Sequence, residues 1–203
     1  MVKLYVEGGG DSSSLKSELR KGLSQFLTKA GINNKPRIVA CGSRRNAYDS
    51  YVIAVENGEE ALLLVDSECA INGQYESGEN WNPWAHLKER EGDKWTKPNG
   101  VEDICCHLMV ECMENWFLAD KATLKSFFGK GFDEKKLSNV SQDVEKVSKA
   151  RVYDLLKLSS KKSSKGEYGK GAHSFKLLGL VDPNKVIRSS KWAARFINKL
   201  KSY

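Results

Sequence analysis

Apolar and polar residues follow two different periods along this chain. Val2 to Val6 is a short apolar run. Beyond three glycines and three serines, Leu15, Leu19, Leu23, Phe26 and Leu27 recur at the spacing of one helical face, and Ser12, Ser13 and Ser14 supply capping hydroxyls. The pattern predicts a strand, a glycine turn and a helix. Arg37 to Cys41 predicts a second strand behind Pro36, and Ala47 to Glu56 a second helix. Ala61 to Val65 is apolar at every position and ends in Asp66, as in a central strand covered on both faces. Cys105 to Val110 is a fourth predicted strand. Short strands alternating with helices predict an α/β fold, a mostly parallel four-stranded sheet with helices on both faces.

Residues 69–104 interrupt the alternation. They are rich in Gly and Asn and carry Trp81, Trp84 and Trp95, with Pro83 and Pro98 as punctuation. The stretch is too long for a plain connector. Two readings stand level: a lid or contact surface over the end of the third strand, or a loop pinned to the core by its tryptophans. Beyond it, helices are predicted over Lys121–Phe128, Asp143–Lys157 and Lys191–Leu200. Between the last two, residues 159–170, SSKKSSKGEYGK, read as a flexible basic loop. The expected organisation is an α/β domain over 1–120 containing the 69–104 insert, with a basic helical extension over 121–203 packed on it.

Composition narrows the class. A chain of 203 residues, 40% hydrophobic and 29% charged, has the make-up of one globular domain or a domain with an appendage. No apolar run approaches the roughly 18 residues of a membrane span, and Met1-Val2-Lys3 leads directly into a strand, so a soluble cytoplasmic protein is expected. Five cysteines without scaffold spacing read as reduced thiols. Cys105, Cys106, His107 and Cys112 fall on a predicted strand whose side chains alternate in direction, which predicts buried thiols rather than a zinc site. The net charge of +7 hides an asymmetry. Residues 1–120 hold 13 Lys/Arg and 19 Asp/Glu, a net of −6, whereas residues 121–203 hold 20 and 7, a net of +13. Any single lysine reads as solvated. The asymmetry as a whole suggests a polyanion held by one half and worked on by the other.

In an open parallel sheet the loops leaving the carboxyl ends of the strands gather over one crevice. Glu7 and Asp11 follow the first predicted strand, Asp66 and Glu68 the third, Glu111 and Glu114 the fourth. Clustered carboxylates repel, so such a group either binds cations or has raised pKa values. Hard oxygen ligands without supporting histidines favour Mg²⁺ or Mn²⁺ over zinc. Beside a basic surface, such ions suit phosphodiester chemistry. Gly8, Gly9 and Gly10 are consecutive, flanked by acids and not followed by Lys-Ser/Thr, so they fit neither a P-loop nor a dinucleotide loop. They are read as a sharp turn that lets both carboxylates face the crevice.

VEGGGD and LLLVDSE together resemble the Toprim superfamily, the catalytic fold of topoisomerases, primases and OLD-type nucleases. Its pattern is a glutamate and glycine after the first strand, often an acid four residues on, and a D-x-D pair after the third. Over nearly the whole chain, LYVEGGGD, RIVACGSR, LLLVDSE, HLMVECMENWFLAD and KGEYGKGAHSF resemble small Toprim-like proteins often encoded in bacterial defence or restriction-associated loci. The resemblance implies that Glu7 is a general acid/base or metal ligand, with Asp11 as its companion, and that Asp66 and Glu68 bind Mg²⁺ or Mn²⁺. MENWFL is similar to the F-E-x-W-L element of related proteins, which singles out Glu114 over Glu111. The second acid of the pair is Glu68 rather than Asp, which moves that carboxylate outward. Lys170 is expected to neutralise the transferred phosphate, as a lysine does in OLD-type nucleases, with Lys165 and His173 beside it. The alternative is a solvated loop with His173 capping the following helix. Arg44 and Arg45, after the second strand, are expected on the rim as phosphate ligands. The expectation is a divalent-metal-dependent nuclease on DNA or RNA, the effector of an anti-phage defence system controlled by a partner ATPase. Alternatives are a non-catalytic Toprim-like regulatory subunit and a transferase acting on a small nucleotide.

Overall fold

A computed structural model describes residues 1–77 and 80–203. Gly78 and Glu79, inside the expected insert, lie outside the described residues. In chain order the strands are β1 (Lys3–Gly9), β2 (Arg37–Gly42), β3 (Ala61–Asp66), the antiparallel ribbon β4 (Glu76–Ser77) and β5 (Asn80–Trp81), and β6 (Cys106–Met109). The main sheet has the order β2-β1-β3-β6 and every pair is parallel, with Leu4 opposite Ile38 and Leu62, and Leu64 opposite His107. The helices are α1 (Ser13–Lys29), α2 (Arg44–Glu56), α3 (Pro83–Glu89), α4 (Asn115–Leu118), α5 (Lys121–Phe128), α6 (Lys149–Ser160), α7 (Lys170–Leu180), α8 (Pro183–Ser189) and α9 (Lys191–Lys201).

The unbroken apolar run of β3 has a two-sided consequence. Leu62 and Leu64 enter one core with Leu19, Leu23, Phe26 and Leu27 of α1, and Leu63 and Val65 enter a second with Ala47, Tyr51 and Ala54 of α2. Each such buried side chain contributes about 1.5–3 kcal/mol, so both faces of β3 must stay covered. The first core runs on into the second half of the chain through Phe117, Phe128, Leu178, Val186 and Phe196. At Gly22, any side chain would strike the backbone carbonyl of Phe175, so glycine is what lets α7 close on α1. Along β6, the edge strand, α9 sends Trp192 into the second core and Phe196 into the first, covering an otherwise open edge.

Two expectations for the second half of the chain are corrected. The helix expected over Asp143–Lys157 is a 3₁₀ turn at Val144–Lys146 followed by α6, because Asp143 caps the turn and Ser148 caps the helix, accepting from the Arg151 amide. Residues 159–170 are not a free loop. Ser159 and Ser160 end α6 in the interior, and the Ser160 hydroxyl accepts from the amide of a buried Tyr168 at 2.7 Å. Trp84 and Trp95 are buried in the second core, which decides between the two readings of the insert for these two side chains. Cys106 and Cys112 are buried and Cys105 is half-buried; among the described residues they form no ligand group with His107. Among the described residues, no helix is long and apolar enough to cross a membrane.

Candidate functional site

The carboxyl ends of β1, β3 and β6 open on a cavity of about 440 Å³. Its lining includes Glu7, the glycines 8–10, Asp66, Glu114 and Lys170. Local sequence explains how β1 delivers Glu7. Glu7, Gly8 and Gly9 all face Gly42 of β2, a bulge that turns the strand end toward the cavity. Gly42 has φ +85°, and a side chain there would collide with the Gly10 carbonyl. The glycines therefore serve backbone approach and the aim of Glu7, in keeping with the acids that flank them.

At the end of β3 the chain turns sharply. Glu68 has φ +69°, a left-handed conformation costly for a residue with a side chain, and its amide is held by the Glu111 carbonyl at 2.8 Å. This geometry brings carboxylate oxygens of Glu7, Asp66 and Glu68 within 4.8 Å of one another, the group of potential metal ligands among the described residues. One Asp66 oxygen also accepts from the Met113 amide at 2.8 Å. Burial raises Asp66 well above the usual carboxylate range, and the charges of Glu7 and Glu114 add to the rise. Glu7 is raised too, by burial first and by Glu68 as well, against the opposing pull of Arg44.

The remaining predicted residues separate into those at the cavity and those away from it. Asp11 is exposed in the turn before α1 and stands outside the carboxylate group. Glu114 is fully buried in the cavity wall, where both oxygens are occupied: Tyr168 and Ser174 donate to Oε1 at 3.0 Å, and Tyr153 to Oε2 at 3.1 Å. Burial and the neighbouring Glu114 charge raise both phenols, which keeps them protonated as donors. Hydrogen bonds to charged groups contribute about 1.5–3 kcal/mol, so Tyr168→Phe is expected to cost about 2 kcal/mol in urea denaturation. An unchanged midpoint would show that Tyr168 does not hold Glu114. Glu111 turns away from the cavity, its carboxylate accepting from the Lys149 amide at the start of α6.

Lys170 opens α7 and lines the cavity, its ammonium 5.7 Å from the Tyr153 ring centre. Lys165 instead lies over Phe127, and His173 is held by its own helix, its Nδ1 accepting from the Gly169 amide at 3.0 Å while the ring packs against Phe127 and Phe128. The expected pairing of these two with the crevice is not what their contacts show. Arg45 is an exposed partner of Asp49.

Arg44 departs furthest from expectation. Ser43 caps α2 and places Arg44 at its first position, pointing inward. Its guanidinium donates to Glu7 at 2.9 Å, to both oxygens of Asp93 at 2.8 and 2.7 Å and to the Asp66 carbonyl, and it stacks over Trp95 at 4.8 Å. Burial works against its charge, but the hydrogen bonds to Asp93 and the charge of Glu7 outweigh it and raise its pKa. Burial also opposes the fall at Asp93, which the bonds from Arg44 win. Arg44 is therefore committed to internal partners, out of reach of a phosphate while these bonds stand. Three groups escaped the sequence pattern: Asp93, supplied by the insert; Lys149, whose ammonium lies 2.7 Å from Glu68 and 3.7 Å from Asp66; and the hydroxyls on Glu114. The basic second half was the signal for Lys149, but no local motif marked which lysine reaches the acids.

Fold and site together define an α/β protein with a carboxylate-lined crevice at the carboxyl ends of a parallel sheet. The chain belongs to the family described as a domain of unknown function, DUF4276, whose model matches residues 6–201. No curated protein and no solved structure matches it.

Proposed function

We propose that the protein is a divalent-metal-dependent nuclease acting on DNA or RNA, with a Toprim-like site. The observation that carries this reading is the convergence of Glu7, Asp66 and Glu68 in a cavity that also presents Lys170. All-oxygen donors at this spacing fit Mg²⁺ or Mn²⁺. Bound there, the ion would polarise the phosphoryl group and activate water. Glu7, raised by its burial, can hold and release a proton closer to neutral pH than an ordinary carboxyl, as a general acid/base requires. Lys170 offers its ammonium to the phosphate from the mouth of the cavity. A role as a defence effector controlled by a partner ATPase rests on the resemblance of the motifs.

The direct test is incubation with plasmid, single-stranded DNA and tRNA in Mg²⁺ or Mn²⁺, alongside Glu7→Ala. Cleavage that depends on metal and is abolished in the variant is expected; equal cleavage by the variant removes the assignment. Stability gives an independent sign. The raised carboxyls keep protons that the unfolded chain releases from about pH 4 upward, so stability of the metal-free protein falls as pH rises through that window. Metal needs the ionised forms, so stabilisation by Mn²⁺ should grow with pH over the same range. Melting temperatures with and without Mn²⁺ measure both, and a metal effect independent of pH would count against these ligands.

One observation favours a second reading, a regulatory subunit without catalysis. Arg44 and Lys149 already neutralise Glu7 and Glu68 from within. Calorimetric titration discriminates, because a regulatory site stabilised by its own cations takes up no stoichiometric Mn²⁺.

A further inference from the structure

A second and larger cavity, about 920 Å³, is a groove beside α9. Lys191, Arg195 and Lys199 line it at intervals of four residues, so their Cα atoms stand about 6 Å apart and span about 12 Å along the helix. Arg188 extends the stripe from α8. Like charges so spaced on a helix repel one another, and the groove offers little compensation. Its acid is Asp143, 3.5 Å from Lys146, while Glu76 approaches Lys191 at 3.7 Å from outside the lining.

Arg195 is only 7% exposed, yet among the described residues no carboxylate pairs with it. Its guanidinium donates to the carbonyls of Cys106 at 2.7 Å and Asp103 at 2.6 Å and meets His107 Nδ1 at 3.1 Å, all uncharged acceptors. Burial lowers both Arg195 and His107, leaving the imidazole neutral beside the guanidinium. The guanidinium also lies over the rings of Trp81 and Trp192 at 5.7 and 5.5 Å, so the groove wall contains a buried positive charge held by carbonyls and aromatic faces rather than by a paired carboxylate. A second property accompanies the charge: Trp81, Ile104 and Ile187 give the same groove an apolar and aromatic lining.

A linear cation stripe beside an aromatic and apolar surface is the chemistry that recognises a single-stranded nucleic acid, with phosphates on the cations and bases on the apolar wall. We propose that this groove binds a single strand through about three phosphates, on the solvent-facing cations Arg188, Lys191 and Lys199, while the buried charge of Arg195 adds to the field of the wall between them. The stripe suits a polymer better than a compact phosphate, which would leave its far end unsatisfied. Ile104 and the Asp103 carbonyl place the groove at the amino end of β6, whereas Met109 leads into the carboxylate cavity at its other end. It is a site separate from the metal ligands, and only the strand's status as substrate rests on the nuclease reading.

The test is fluorescence anisotropy of labelled single-stranded DNA and RNA oligonucleotides with the full chain in EDTA, where no cleavage occurs. Wild-type protein is expected to bind, with affinity falling as salt rises. Lys191→Glu/Lys199→Glu should weaken affinity at least tenfold at moderate salt, and the slope of log affinity against log salt should fall by about 1.4, at about 0.7 for each phosphate no longer neutralised. Both lysines are on the surface side of α9; if the double variant nonetheless melts early, Arg188→Gln/Lys199→Gln is measured in its place. Absence of wild-type binding, unchanged affinity in the folded variant, or competition by inorganic triphosphate as effective as by oligonucleotide would overturn the proposal. Because the assay contains no metal, its failure leaves the carboxylate site untouched, and failure of metal titration leaves the groove untouched.

Discussion

Asp66→Asn is expected to abolish calorimetrically detectable Mn²⁺ binding and to lower metal-dependent cleavage about 10³-fold, with no loss of stability in EDTA. The catalytic part follows from the several kcal/mol of charge stabilisation that a metal supplies in phosphoryl chemistry, since about 4 kcal/mol is a factor of 10³. The stability part follows from the surroundings of the side chain. Asp66 is buried beside Glu7 and Glu114, so near neutral pH its charge is unfavourable, and the amide oxygen of Asn can still accept from Met113. A variant as stable as wild type, or more so, that binds no Mn²⁺ and does not cut would separate function from folding. Retained Mn²⁺ binding would overturn the assignment of Asp66 as a ligand.

Arg44→Ala should have the opposite profile. Removing the guanidinium leaves Glu7 buried without its cation and Asp93 with Arg90 alone, at 2.9 Å, an arrangement that costs about 3 kcal/mol and lowers the melting temperature by roughly 10 °C in a chain of this size. Arg44→Lys should recover only part of the loss, because an ammonium cannot fork across both oxygens of Asp93 while reaching Glu7. Mn²⁺ should stabilise Arg44→Ala by more than it stabilises wild type, since the ion replaces a missing positive charge. Thermal melts of the three proteins, each with and without Mn²⁺, measure this. A melting temperature within 2 °C of wild type for Arg44→Ala would show that the network carries no weight.

The sequence disclosed the sheet because its signals are local. Leu62 to Val65 announce a strand buried on both faces, and the Glu7 and Asp66 positions follow from where such strands end. The partners of those acids were hidden for a physical reason. Arg44 sits on a rim in sequence terms, but the cap at Ser43 and the stack on Trp95 turn it inward. Lys149 is separated from Glu68 by 81 residues and stands among many lysines of equal local appearance. Tyr168 was concealed in a stretch whose serines, glycines and lysines look unstructured, although its phenol enters the interior. Local pattern reports which face is apolar; it does not report which distant charge will be enclosed with it.

The three hydroxyls around Glu114 also set an order of events during synthesis. Every acid of the crevice has been made once the ribosome passes residue 114, yet the Tyr168 hydroxyl lies 54 residues further on. At about 5–20 residues per second, that interval lasts roughly 3–11 s. A nascent chain therefore carries Glu114 for several seconds before the Tyr168 hydroxyl that helps fix it exists, so the complete crevice is a late product of translation.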